Sequence, residues 1–335
     1  MRLKPLAEQV VVVTGASSGV GREAALRFAR AGATVVAVAR NEDALESLVA
    51  QVASEGGAIR RVVCDVADPE QVERAAALAE EWFGRIDTWV GNAGAMVYGA
   101  FEDTPASDFR RMMDVNFLGQ VNGAHAALPA LRRAGGGALI AIASTESYLT
   151  LPMHSAYSAS KAAVASLMDG VRREVIARGF PVSVTTVFPA VMDTPGYLTT
   201  RNRMGKDPSA PPPYYDPAVA AECVLFAATH PVRDLYAGGG ARYMAVLQAL
   251  APRALDVALG RVGIRLMRGE NPAPYEPGNL DDALDLGRVR GGALPAPGRR
   301  SVYTWLELHP RVRLGLGVGI AAAVAAGVVL RRVAR

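Results

Sequence analysis

Between residues 9 and 237 the chain alternates seven short β-branched runs with longer segments of helical apolar spacing. The runs are 9–14, 34–39, 59–64, 86–91, 138–143, 182–188 and 233–237, and segments such as 23–31, 43–53 and 71–83 carry the helical spacing between them. Strands that read as nearly continuous Val, Ile and Leu are buried on both faces, and strands separated by helices pair in parallel. The expected fold is therefore α/β, a doubly wound parallel sheet of about seven strands, in one domain at residues 1–245. Sheets of this kind bind ligands beyond the carboxyl ends of their strands, so the loops there are where chemistry is sought.

Composition narrows the function. A net charge of +4 over 335 residues lacks the concentrated basic face of a nucleic-acid-binding protein. Two cysteines, Cys64 and Cys223, are too few for a disulfide framework and fit a reducing compartment. Four scattered histidines without a cysteine cluster give no metal site. The apolar run at 10–13 is far too short for a secretory signal.

The first strand runs directly into Thr14-Gly15-Ala16-Ser17-Ser18-Gly19-Val20-Gly21, and a helix follows. Glycines there allow a tight turn and let backbone amides approach a pyrophosphate at the helix N-terminus. A Gly-rich turn alone is a weak signal, but the TGxxxGxG spacing resembles that of short-chain dehydrogenases/reductases, compact single-domain type. Other motifs extend the resemblance over about residues 8–240. Asp65 matches the family's acidic residue beside the adenine, and Asn92-Ala93-Gly94 its NAG motif. Asn116 matches its helix asparagine, and Pro189 the proline that turns the chain towards the nicotinamide. Ser144 ends the fifth strand, and Tyr157-Ser158-Ala159-Ser160-Lys161 supplies the YxxxK signature thirteen residues later. Two departures stand out: Gly91 where a second Asn is common, and Ala190 in place of the glycine after Pro189.

The resemblance implies that Gly15, Ser17, Ser18, Gly19, Val20, Gly21, Asp65, Val66, Asn92, Ala93, Gly94, Tyr157, Lys161, Pro189 and Thr194 hold a nicotinamide coenzyme. Arg40 closes the second strand where a carboxylate would accept the ribose hydroxyls. A planar, permanently charged guanidinium suits a 2′-phosphate, which points to NADP(H) rather than NAD(H), the alternative being a solvated surface arginine.

Tyr157 and Lys161, four residues apart on one expected helix, are neighbours on the same face. A phenol titrates near pH ~10 unperturbed, and a fixed ammonium one turn away, together with the positive nicotinamide of the oxidised coenzyme, is expected to lower that value. Tyr157 then serves as general acid/base and Ser144 orients the substrate oxygen, while Asn116, by resemblance, supports a water linking Lys161 to solvent. The expected reaction is reversible carbonyl/alcohol interconversion. A catalytically silent nucleotide-sensing or scaffold protein and an epimerase or dehydratase using the same pair are the rivals. His154 is either a pocket residue or a plain loop histidine. Tyr148, Met192, Tyr197 and the stretch 211–215 fall where the family places a lid, and their apolar character points to a hydrophobic substrate. The family also implies a homo-oligomer.

Beyond residue 245 the composition changes. Residues 246–270 read as an amphipathic helical extension, with Arg261, Arg265 and Arg268 opposite Leu255, Leu259, Val262 and Leu266. That pattern fits a helix on an anionic membrane or an ordinary packing helix. Residues 271–300 hold five prolines and five glycines and read as an irregular linker. Residues 301–335 read as a membrane-anchoring tail: 314–330 carries no charge, arginines flank it, and Gly315, Gly319, Ala323 and Gly327 form a small-residue stripe. A helix docking on protein is the alternative. The expected location is the cytosolic face of a membrane, otherwise the cytoplasm.

Overall fold

A computed structural model describes residues 1–284 and 286–314. Seven strands form one parallel sheet: β1 Val10–Thr14, β2 Thr34–Ala39, β3 Ala58–Val63, β4 Thr88–Gly91, β5 Gly137–Ile142, β6 Val182–Pro189 and β7 Asp234–Ala237. Their order is β7-β6-β5-β4-β1-β2-β3, so the direction of winding reverses between β1 and β4. Ligands of doubly wound sheets lodge at that crevice. Every expected strand forms, with ends shifted by two residues at most.

Successive residues of β1 supply both cores. Val11 and Val13 face a cluster with Phe28, Leu45, Leu48 and Val224; Val12 faces the other, with Trp89, Leu131, Val164 and Met168. All three valines are fully buried. Each such side chain stabilises the fold by roughly 1.5–3 kcal/mol.

The helices begin where local chemistry dictates. Asn41 Oδ1 accepts the Ala44 N–H at 2.8 Å and caps α2 (Glu42–Ser54), whose first turn also carries Glu42 and Asp43. Asp68 caps α3 (Pro69–Phe83), Pro69 occupies its first turn, and Gly84 ends it at φ 76°. Before them, α1 (Gly19–Arg30) starts in the glycine turn. Past β4, α4 (Ala106–Met112) runs through a π-helical turn (Met113–Leu118) into α5 (Gly119–Arg133). After β5 come α6 (Ser155–Ala177) and α7 (Pro217–Ala227).

Pro252 divides the extension as its sequence implies: α8 (Gly239–Leu250) stops just before it and α9 (Pro252–Met267) starts on it. The segment 271–300 is irregular, but it is not a free connection. It folds back as a strap along the sheet's carboxyl edge, where the buried Asp193 carboxylate accepts the N–H groups of Gly292, Ala293 and Leu294 at 3.1–3.3 Å. Arg290 adds an ion pair to Asp216 at 2.6 Å. The strap leads to α10 (Val302–Leu308), packed beside β7 through Thr304, which bonds Gly238 N–H and the Tyr236 carbonyl. Among the described residues no helix is long and apolar enough to cross a membrane. Apart from Leu314, the expected anchor at 314–330 lies outside the described residues.

Candidate active site

The β1–α1 turn is a cradle with no room for side chains at its glycines. Gly15 holds φ 64°, and a Cβ there would press on the Ala93 backbone; one at Gly21 would collide with the Gly15 carbonyl. Thr14 Oγ1 accepts the N–H groups of Asn92 and Ala93 at 3.0 and 3.2 Å, and Asn92 Nδ2 donates to the carbonyls of Thr14 and Gly15. The NAG segment is thereby fastened to the turn across the switch point. The N–H groups of the first turn of α1 have no intrahelical acceptor and so present an anion site. One of them, that of Gly19, donates to the Arg288 carbonyl of the strap at 3.1 Å.

A cavity of about 420 Å³ runs from this cradle to the catalytic candidates. Gly15, Ser17, Ser18, Gly19, Val20, Arg40, Asp65, Val66, Asn92, Ala93, Gly94, Ser144, Tyr157, Lys161, Pro189 and Thr194 all line it. Gly21 and Asn116 do not: Gly21 lies beneath the turn, and Asn116 is wholly buried on the π-helical turn. The Asn116 amide pairs with both backbone groups of Ala95, at 2.8 and 3.0 Å, and donates to Ser160 Oγ at 2.9 Å.

Tyr157 and Lys161 lie one turn apart on α6, as expected, and burial dominates the electrostatics of both in the chain without coenzyme. Burial pushes the Tyr157 phenol up and the charge of Glu146 adds to it, against a hydrogen bond to Ser144 that lowers it. A phenol held above its usual range keeps its proton at neutral pH. Lys161 Nζ lies 5.9 Å from the Tyr157 ring centre and donates to the Ile142 carbonyl at 2.9 Å. Its burial lowers its pKa to about 8. Ser144 Oγ accepts the Glu146 N–H at 3.1 Å, leaving its own proton to donate.

Glu146 carries no sequence signal, yet it organises this corner. Its two oxygens engage His154 Nδ1 at 2.9 Å and Ser158 Oγ at 2.6 Å. His154 is therefore a buried cavity residue: its ring is 4.1 Å from Tyr98 and 5.7 Å from Tyr157.

The end of the cavity where the adenosine is expected holds the main departures. Arg40 is not a free phosphate ligand: Nη1 donates to the carbonyls of Leu280 and Asp281, and Nη2 to those of Asn279 and Asp282, at 2.5–3.3 Å. Asp65 does not stand alone either. Burial raises its pKa, but Arg111 at 2.6 Å and the Ala67 N–H outweigh that and hold it below the usual value. The two motif departures are absorbed locally. A side chain at Gly91 would strike Gln120 of α5. Ala190 adopts no left-handed conformation, and its N–H donates to the Ala237 carbonyl at 2.8 Å.

Of the expected lid, Met192, Tyr197 and Pro211–Pro213 line the cavity. Tyr148 instead packs on Phe188, with ring centres 5.0 Å apart. The far wall comes from α8 and α9, through Met244, Leu255, Leu259 and Leu266.

The sequence pattern described as short chain dehydrogenase matches residues 9–204. An uncharacterized oxidoreductase of Bacillus subtilis, YxnA, is 37% identical over 329 residues, covering 97% of this chain and 92% of its own. A short-chain dehydrogenase structure from Streptomyces avermitilis superposes with a TM-score of 0.63 at 31% identity, over 76% of this chain and 97% of that one. An alcohol dehydrogenase from the archaeon Thermococcus sibiricus, complexed with 5-hydroxy-NADP, gives 0.60 at 28% identity, over 68% and 95%. The seven-stranded sheet, the glycine cradle and these similarities agree: the chain is an oxidoreductase of the short-chain dehydrogenase family.

Proposed function

We propose that this oxidoreductase interconverts a carbonyl and an alcohol with NADP(H), working mainly as a reductase on apolar substrates. The observation that carries the reading is the convergence of Ser144, Tyr157 and Lys161 on one cavity, between the glycine cradle and a wall of Leu and Met side chains.

The cradle fits a dinucleotide. Gly15 and Gly21 let the turn close tightly on Ala93 and on itself, and the N–H groups at the start of α1 are where a pyrophosphate would be held. The end of β2 carries no carboxylate to repel a 2′-phosphate, and Arg40 places positive charge there. When bound, the coenzyme supplies or takes the hydride at its nicotinamide C4. The protein's own groups manage the proton. Ser144 donates to the substrate oxygen and fixes it near the Tyr157 hydroxyl, and the neutral phenol protonates that oxygen as negative charge develops on it. Lys161, tied to Ile142, keeps its ammonium beside the phenol and stabilises the phenolate left behind. Asn116 holds the Ala95 backbone and the π-helical turn in place behind them. In keeping with the uncharged stretch at 314–330, the same reading has the enzyme membrane-associated, its catalytic domain on the cytosolic side.

The test is NADPH consumption across a panel of aldehydes, ketones, sterols, retinoids and acyl compounds. On any active substrate, Tyr157→Phe is expected to lower kcat/KM at least about a hundredfold, a typical contribution of a general acid, with NADPH affinity by fluorescence titration unchanged. A variant that retains a tenth of wild-type kcat/KM contradicts the assignment. Coenzyme binding without turnover on the whole panel returns the silent, nucleotide-sensing reading.

A further inference from the structure

We infer that the outer face of the α8–α9 hairpin docks on an anionic lipid surface, setting the cavity mouth at the bilayer. The inference extends the reading of this cavity as one for apolar substrates. The hairpin has two faces. Inward, Met244, Leu255 and Leu259 line the cavity, and Gly263 and Met267 are buried, Gly263 against Pro152. Outward, a soluble helix would be polar. Here Tyr243 (62% exposed), Val246, Leu250 (79%), Val257, Val262 and Ile264 face solvent instead. Neighbouring exposed apolar side chains ringed by charge mark an interaction surface rather than scattered surface residues.

Charge decides the partner. Residues 239–268 hold five arginines, at 242, 253, 261, 265 and 268, against one acid, Asp256. That excess equals the net charge of the entire chain. Arg253, Arg261, Arg265 and Arg268 are exposed among the apolar residues. A second copy seated on this face would bring arginine against arginine, whereas an anionic bilayer accepts both the charge and the apolar side chains. Chain continuity agrees. Tyr303 of α10 sits over Gly239 at the start of α8, and about ten residues later the sequence enters the uncharged stretch 314–330. A ligand dissolved in lipid would then meet the cavity through the helices that wall it.

The test reads contact at the face itself, so it does not depend on turnover or on how the tail behaves. Both native cysteines are buried. The full-length protein is therefore labelled with an environment-sensitive dye at Leu250→Cys or Ile264→Cys, and separately at the exposed Ile176→Cys near the amino edge of the sheet. Vesicles of phosphatidylglycerol and phosphatidylcholine are expected to blue-shift the two hairpin labels and leave the Ile176 label unchanged; pure phosphatidylcholine is expected to do much less. Arg261→Ala with Arg265→Ala should weaken the response roughly thirtyfold, since each basic residue near an anionic leaflet contributes about a factor of five. Coenzyme binding by each variant confirms that it is folded. Three results overturn the inference: hairpin labels unchanged while the protein floats with anionic vesicles, so that the tail alone holds it; a shift without vesicles that grows with protein concentration, so that a second copy covers the face; or labels already blue-shifted at every dilution, so that the chain's own tail does. An active reductase that fails this test loses the docking face and keeps its function.

Discussion

The two ends of the cavity are built differently. At the nicotinamide end every group sits on the sheet or on the long helix α6: Ser144 follows β5, Lys161 is tied to β5 through Ile142, and Pro189 ends β6. At the adenosine end the walls are borrowed from sequence 240 residues away, with Arg40 held by four consecutive strap carbonyls. The first end is a rigid product of the parallel fold. The second is a closure whose strength depends on a few polar anchors. On the function proposed above, the difference would put reaction chemistry and coenzyme selection in separately built parts of the chain, so that each could be changed without the other.

The largest expected effect separates them. Ala39→Asp with Arg40→Leu should lower the ratio of kcat/KM for NADPH to that for NADH at least about tenfold, because a carboxylate accepts ribose hydroxyls and repels a 2′-phosphate. The kcat with whichever coenzyme saturates should change little. Steady-state kinetics with both coenzymes checks this; an unchanged ratio makes Arg40 solely a fastener of the strap.

A pH profile sharpens the other end. Burial lowers the pKa of Lys161 to about 8, so its ammonium is present below that pH and lost above it. Reduction should therefore slow by about fivefold between pH 8 and 9 and by about tenfold per pH step beyond, the limb of a single titrating group. Lys161→Arg keeps its charge throughout and should lack that limb, whatever its absolute rate. A wild-type rate that is flat to pH 10 would remove the ammonium from the mechanism.

The smallest expected effect on chemistry belongs to the strap. Asp193→Ala removes the acceptor for three backbone N–H groups in a buried position, a loss of about 2–3 kcal/mol for charge-assisted bonds of this kind. Limited proteolysis within residues 277–294 should accelerate at least about tenfold, since local opening governs cleavage there. NADPH affinity should weaken severalfold while kcat stays within about twofold. Equal losses in kcat would show that the two ends are coupled.

The same contrast explains what the sequence disclosed. Strands, the glycine turn and YxxxK were legible because their signals are local: a run of valines, a steric requirement at Gly15 and Gly21, and a spacing of one helical turn. The strap was not, because it holds Arg40 through main-chain carbonyls that any residues would supply, and Asp193 gives no hint in sequence that it accepts from residues 292–294. Glu146 escaped for a related reason. Its partners, His154 and Ser158, come together only once α6 packs behind β5. The burial that raises Tyr157 was likewise not legible, because sequence spacing does not report it.

The central claim is that hydride passes from the coenzyme to a carbonyl carbon beside Tyr157. The direct measurement uses NADPH deuterated at nicotinamide C4 on the transferring face, a substrate active in the panel, and mass spectrometry of the product. The account predicts one deuterium on the carbinol carbon of the alcohol from wild type, and almost none formed by Tyr157→Phe with coenzyme bound. Deuterium released to water, or the same labelled product formed by Tyr157→Phe at the wild-type rate, would contradict it.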